Sequence, residues 1–440
     1  MSGNTNPLGD LLSDVALESG EVASTPSLAA WLAYSTAGLF IFYQLVLQSL
    51  PSVIRDGLVV DFSLTDAGFG GMAASFYYPY MLLQIPSGLL ILRYGSRRVL
   101  IAGLILCILA SFITAYSLTV AHVTTARILM GIGAAPAFVA TMALATRWFP
   151  ARLFPILVAV TEMIAMLGAA LGQEILGLVV QSAGWRAAMS LCAWSGIAVL
   201  VMTLAFVWDS PPKDAQNAVA ARRLRAGPLL RMLLAPSLIL AGLIGGMIYS
   251  AALSFAMLWG VPFFKMHLGI DLAAASLCAS FFSWGIIVGM LAFGWACGRL
   301  ADPVTLLGLG ILLTAASVAL ILYGPPDFML ASLGMLLCGI GSGSYPLAFV
   351  IVKSEAPQEA TGAALALANM LIIAVGGLVL QPLIGILADT YGRPVTDPES
   401  LGVLLWAQGL GLLLLVPLIF CLRDKTLMPR WARSHLAKAS

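Results

Sequence analysis

Twelve apolar runs, each about as long as a membrane-crossing helix, leave this chain one class of fold. They fall at about 29–50, 67–91, 98–117, 122–146, 154–180, 185–207, 236–264, 272–297, 303–323, 328–352, 360–388 and 400–422. At 1.5 Å per residue, roughly 20 residues span the ~30 Å of hydrocarbon in a bilayer, and the longer runs permit tilt. The runs are apolar all round rather than along one stripe, which excludes a soluble helical bundle. Composition agrees, with 60% hydrophobic and 10% charged residues, against about a quarter charged in soluble domains. A net charge of +2 gives no support to a nucleic-acid partner. The lipid bilayer is the partner this composition implies.

An even number of spans puts both termini on one side. With the N-terminus inside, seventeen of the 22 Lys and Arg residues fall in inner loops and the C-terminal tail. Arg55, Arg186, Lys265 and Arg393 fall outside, and Arg127 lies within a span. Positive residues stay cytoplasmic, so both termini are expected there. The expected domains are a disordered acidic tail (1–28), a first six-helix bundle (29–207), a polar linker (208–235), a second bundle (236–422) and a short tail (423–440). The N-terminal segment lacks the basic start and early apolar core of a signal peptide.

No enzyme, metal site or cofactor is expected. His122, His267 and His435 are far apart, and all six cysteines lie in apolar runs without metal-ligand spacing. The glycine-rich Gly339–Ser344 stretch resembles a phosphate loop only superficially. It sits inside an apolar span, where close helix packing explains it. No nucleotide-binding domain supports an ATP-driven pump.

The turn after the second run is short and basic, carrying Arg93, Gly95, Arg97 and Arg98 after Gly88. Two spans joined so tightly must lie antiparallel and side by side. Gly294 and Arg299 repeat the Gly88–Arg93 offset in the second half. This spacing resembles the loop between helices 2 and 3 of the major facilitator superfamily of transporters. Leu92 and Gly298 stand where that pattern has an acid. Arg127, with Gly131 and Gly133 four and six positions on, resembles a second superfamily signature. The resemblance covers about Trp31 to Leu422 and implies twelve helices in two six-helix halves, an all-α major facilitator fold. Repeated halves of this kind rock about a midplane site. The basic turn, with Arg299, would then be a gating loop at the cytoplasmic meeting of the halves.

A charge at membrane depth is costly, so Arg127 should face the bundle interior with a partner. It either serves substrate or ion coupling or forms a structural pair. Arg127 and Glu174 both lie about 8 Å from the outer edge, so an Arg127–Glu174 ion pair is expected. Glu162 lies nearer mid-membrane without an evident basic partner. A lone carboxyl in low dielectric favours its neutral form, which makes Glu162 either a proton carrier or a hydrogen-bonded core residue. Tyr43, Gln44 and Gln48 in the first run, and Tyr77, Tyr80 and Gln84 in the second, form polar stripes too costly to face lipid. Tyr249, Trp284, Tyr345, Asn369 and Gln381 play that part in the second half. Each either contacts substrate or joins helices; Tyr34 and Tyr78 are as readily interfacial.

Several stretches narrow the resemblance: Phe42–Val53, Ser75–Tyr80 with Gln84–Pro86, Arg147–Pro150, Leu380–Gly385 and Ala388–Asp389. They are similar to a branch holding bacterial phagosomal amino-acid and nucleoside transporters and the lysosomal dipeptide transporter. That resemblance implies a monomeric secondary active or facilitative carrier of small polar solutes, such as amino acids or peptides, by alternating access. The bacterial inner (plasma) membrane is the implied location, and protons are the implied coupling ion. The competing readings are an exporter of apolar compounds, whose cavity should be poor in charge, and a non-transporting membrane sensor, which would need a docking domain.

Overall fold

The computed structural model describes residues 26–150, 153–209, 236–297, 299–355 and 361–390, and these are almost wholly helical. Among the described residues eleven of the twelve expected spans are present, and ten helices there are long and apolar enough to cross a membrane. The expected twelfth span at 400–422, the linker beyond Asp209 and both tails lie outside the described residues.

Short polar side chains set where helices begin. The hydroxyls of Ser27, Thr65 and Thr119 and the carboxylates of Asp271, Asp302 and Asp327 accept from backbone N–H groups three residues on. Each satisfies a donor that the first turn leaves free. Gly95 and Gly184 make two of the turns, each with φ above +80°, where a side chain would be strained. The second and third spans, Tyr77–Tyr94 and Ser96–Ala115, accordingly pack side by side.

Prolines explain where spans break. The fourth span divides into Val120–Ala134 and Pro136–Trp148. The tenth divides into Phe328–Ser342 and Leu347–Glu355, with Pro346 in the gap. The seventh and eleventh widen into π-helix at Ala251–Trp259 and Ala374–Leu380, just before Pro262 and Pro382. Proline lacks an N–H and its ring crowds the preceding turn, so the ladder must loosen there.

The helices form two bundles joined along a seam. The second span packs on the eleventh, and the fifth (Phe154–Ala183) packs on the eighth (Leu272–Ala296). Glycines set the close approaches within each bundle. Gly131 abuts the Phe76 carbonyl, Gly133 faces Gly103, and Gly339 abuts Phe282. The Gly339–Ser344 stretch is therefore helix packing, as its apolar setting implied.

The polar ties across the seam are unevenly distributed. Nearest the basic turn are Asn369 to Gln84 at 2.6 Å and Tyr345 to Glu162 at 3.4 Å. By helix rise these lie about 12–15 Å from the basic ends of their spans. Beyond them come Gln173 to the Ala256 carbonyl at 2.7 Å and Gln381 to Tyr77 at 3.3 Å. At the far end Lys265 pairs across the seam with Asp56 at 2.5 Å, while within the first half Arg55 pairs with both Asp56 and Asp66. The Asp389 carboxylate accepts from the backbone N–H groups of Asp66 and Ala67, at 3.2 and 3.0 Å. Between Gln84 and the basic turn, no hydrogen bond or ion pair joins the halves among the described residues. Nearby on the same far end, Arg186 donates to Asp61 and holds its carboxyl below the usual carboxylate range.

Close backbone contact accompanies the far-end ties. A Cβ on Gly385 would overlap the Asp66 carbonyl, so a bulky residue there must part the halves. In a cysteine-free background, Gly385→Trp is expected to make a cysteine at the buried Gln381 position reactive toward an impermeant thiol reagent. Labelling as slow as with Gly385 intact would refute the idea that this contact seals the far end.

Candidate functional site

The site lies where the second, fifth, seventh, tenth and eleventh spans meet the first. Its deepest layer is closed. Tyr77, Gln48 and Gln381 are buried, and the Tyr77 hydroxyl accepts from Gln48 at 3.2 Å and from Gln381 at 3.3 Å. Gln381 also donates to the Leu253 carbonyl at 2.6 Å. Leu253 lies in the π-helical stretch before Pro262, where the altered ladder leaves carbonyls free for side chains.

One turn nearer the basic end the surroundings open. Tyr80, Gln84, Glu162, Tyr249 and Asn369 are all partly exposed. Polar groups at this depth do not face lipid cheaply, so this exposure marks a space inside the bundle. Tyr80 lies within hydrogen-bonding reach of Gln44 and Gln84. Tyr249 stacks on Tyr345 with ring centroids 4.4 Å apart, and the Tyr345 hydroxyl donates to Glu162. Tyr80 and Tyr249 are also close enough to Glu162 to interact with its charge. Among the described residues no Lys, Arg or His pairs with Glu162. Ten of the sequence-predicted residues thus come together: Gln44, Gln48, Tyr77, Tyr80, Gln84, Glu162, Tyr249, Tyr345, Asn369 and Gln381.

Four other expectations require correction. Arg127 does not pair with Glu174. It donates to the carbonyls of Leu47 at 3.1 Å and Ala73 at 3.2 Å, and lies 4.9 Å above the Phe76 ring. Its Nε has no partner among the described residues, and Arg127 lines a small pocket with Leu47, Leu50, Met72, Met130 and Met189. Glu174 instead accepts from Ser280 at 2.8 Å and Trp284 at 2.9 Å across the seam. Depth along the helices matched, but the two side chains point to different neighbours.

Trp284 accordingly belongs to that outlying contact and not to the central group. Tyr43 is buried within the first bundle, where it meets Ser111 at 3.3 Å and crowds Gly196. It joins helices, as Tyr34 does through Thr161 at 2.7 Å. Tyr78 is exposed on the bundle surface.

The basic turn does not bridge the halves. The Arg97 backbone N–H donates to Asp209 at 3.1 Å, and its guanidinium donates to the Leu204 carbonyl at 2.7 Å and lies 4.5 Å over Trp208. Gly95 leaves room for Asp209, where a Cβ would collide with the carboxylate. These partners end the sixth span of the same half. Arg93 lies over Tyr94 and Arg299 over Trp295, at 5.2 and 5.8 Å. Arg98 is exposed, and Gly88 and Gly294 face open space.

The far-end residues Arg55, Asp56, Asp66, Lys265 and Asp389 were not among the expected site residues. Asp389 did fall in a stretch that carried the resemblance, and the buried Arg55 lies only 11 positions from Asp66.

Comparison with known proteins adds four findings. Residues 27–378 match the family described as Major Facilitator Superfamily. The chain is 27% identical over 165 residues to the "Probable sulfoacetate transporter SauU" of Cupriavidus necator, an alignment covering 38% of each chain. It is 23% identical over 377 residues to the "Probable galactarate/D-glucarate transporter GudP" of Escherichia coli, covering 78% of this chain and 83% of that one. Among solved structures, a D-xylose–proton symporter shares the fold with a TM-score of 0.72 at 17% identity, covering 89% of this chain and 96% of that one.

The separate partners of Arg127 and Glu174 set an energetic expectation. Arg127→Ala should destabilise by about 1–3 kcal/mol, because two buried carbonyls lose their donor. Groups without shared partners act independently, so Arg127→Ala and Glu174→Ala should add to within about 0.5 kcal/mol. Chemical unfolding of the two single variants and the double variant in detergent measures this. A double variant more stable than Arg127→Ala alone would restore the ion pair.

Proposed function

The chain belongs to the Major Facilitator Superfamily, and from that premise we propose that it carries small polar solutes by alternating access, with proton coupling at Glu162. The cargo class is amino acids, peptides or related nutrients, and the working unit is a monomer in a bacterial inner membrane. The basic end faces the cytoplasm, following the positive-inside bias. One observation carries this reading. A partly exposed carboxylate and a ring of amides and phenols from both halves meet near mid-membrane, on the seam about which the halves would move. A site shared by two bodies is reached from one side or the other as they rock.

The chemistry of the ring fits a polar cargo. Gln84, Asn369 and Gln44 offer both donors and acceptors, and the tyrosines offer hydroxyls on apolar faces. Apolar cargo would leave the amide donors and acceptors that contacts within the ring do not use unsatisfied, at about 1–3 kcal/mol for each such group. The relatives named for sulfoacetate and for galactarate and glucarate are also named for small polar solutes.

Glu162 supplies the coupling step. The site must take a proton on one side and release it on the other. Within the central group the carboxylate has only the Tyr345 hydroxyl as a bonded partner, so protonation breaks no ion pair. In proteoliposomes, Glu162→Gln is expected to retain counterflow exchange of cargo and to lose accumulation driven by a pH gradient. Accumulation at the wild-type rate would refute the coupling role while leaving the carrier reading intact.

A further inference from the structure

We propose that the cargo bears a cationic ammonium group and that this group docks against Glu162 between the rings of Tyr80, Tyr249 and Tyr345. This rests on the carrier reading above and names the chemistry of its cargo.

The first ground is charge. Glu162 is a carboxylate near mid-membrane, and among the described residues no basic side chain pairs with it. A charge at this depth without a partner is costly. With none among the described residues, a proton or a cationic group on the cargo is the counter-charge we assign to it.

The second ground is the wall around it. Tyr345 hydrogen-bonds Glu162 and stacks on Tyr249 at 4.4 Å, and Tyr80 stands across the seam, stacked on Phe76 at 5.4 Å. A carboxylate surrounded by three tyrosines suits an ammonium, whose protons the carboxylate and phenol oxygens accept and which the rings attract. The same wall suits an anion poorly. Carboxylate or sulfonate cargo would meet the Glu162 charge, and no described basic group reaches the ring. Arg127, the buried guanidinium of this half, is committed to the Leu47 and Ala73 carbonyls beyond the Tyr77 layer.

The third ground is the remaining polarity. Gln84 and Asn369 bond one another across the seam at 2.6 Å. They offer amide groups to the uncharged or carboxylate part of a zwitterion held at its other end by Glu162. The cargo chemistry is therefore an organic amine or an amino acid-like zwitterion rather than a sugar diacid. This departs from the solutes named for the two relatives reported above.

The test uses the full-length carrier, purified and reconstituted. Thermal stabilisation and counterflow are measured against a panel of choline, agmatine, alanine, alanylalanine, galactose and galactarate. Amines or zwitterions should stabilise the wild-type protein and drive counterflow, and galactose and galactarate should do neither. Tyr249→Phe keeps the aromatic face, so affinity for the stabilising compound should stay within about twofold. Tyr249→Leu removes that face and should weaken affinity by roughly two- to thirtyfold. The Tyr249 pair does not depend on the Glu162 variant folding. If galactarate or galactose is bound or exchanged while the amines and zwitterions are not, the inference fails and the carrier reading stands. Equal binding by Tyr249→Leu and Tyr249→Phe would likewise overturn it. If no compound is bound or exchanged, the inference and the carrier reading fail together.

Discussion

The contact on which the arrangement of the two halves turns is the capping of one helix by a carboxylate from the other half. The helix Asp66–Ala74 begins at the end of the bundle remote from the basic turn, and its first N–H groups have no partner within the helix. Asp389, 323 positions from Asp66, accepts from two of them. The positive end of the helix dipole favours that charge. Beside it, Arg55 neutralises Asp66, and Lys265 reaches Asp56 from the second half. A cap of this kind contributes about 0.5–2 kcal/mol, and water replaces it readily once the ends part. The tie holds one state without making the other inaccessible. A carrier needs that balance, because both of its states must be populated within a few kcal/mol.

Most of the fold was legible because hydrocarbon imposes one demand along the whole chain. Apolar run length gave the eleven described spans to within a few residues. The structure adds what sets their ends, caps at Thr65, Asp271 and Asp302 and single-glycine turns at Gly95 and Gly184. The polar stripes at Gln44 and Gln48 and at Tyr77, Tyr80 and Gln84 were legible for the same reason, since amides and phenols must turn inward. Tyr43 misled because a phenol is as well satisfied by one neighbouring helix, here through Ser111, as by a cavity.

Direction around a helix was harder to read than depth along it. Arg127 and Glu174 match in depth, and depth alone predicts a pair that the structure does not contain. Gly168 and Gly172, however, press the fifth span onto Phe42 and Val46 of the first. Glu174 is two residues past Gly172, so it points about 200° away, into the second half. The glycines held that information, but only once their face was known to meet the first span. The far-end charges were illegible for another reason. Asp56 and Lys265 are 209 positions apart, and nothing local marks them as partners.

The basic turn bears on which state the chain prefers. Arg97 is tied to Asp209, Leu204 and Trp208, all at the end of its own half. With Leu92 exposed in place of an acid, this turn braces the second and third spans against the sixth rather than latching the halves together. The described polar ties between halves then lie from Glu162 outward to Asp389, and they all favour closure at the far end. Each 1.4 kcal/mol of such imbalance shifts the two states tenfold. Ions and cargo can redress it only through contacts that differ between the states. Glu162 and the Gln84–Asn369 pair straddle the seam at the inner limit of these ties, so their contacts change first as the halves move. The groups we propose to hold cargo are in this way the same groups whose contacts depend on which end is closed.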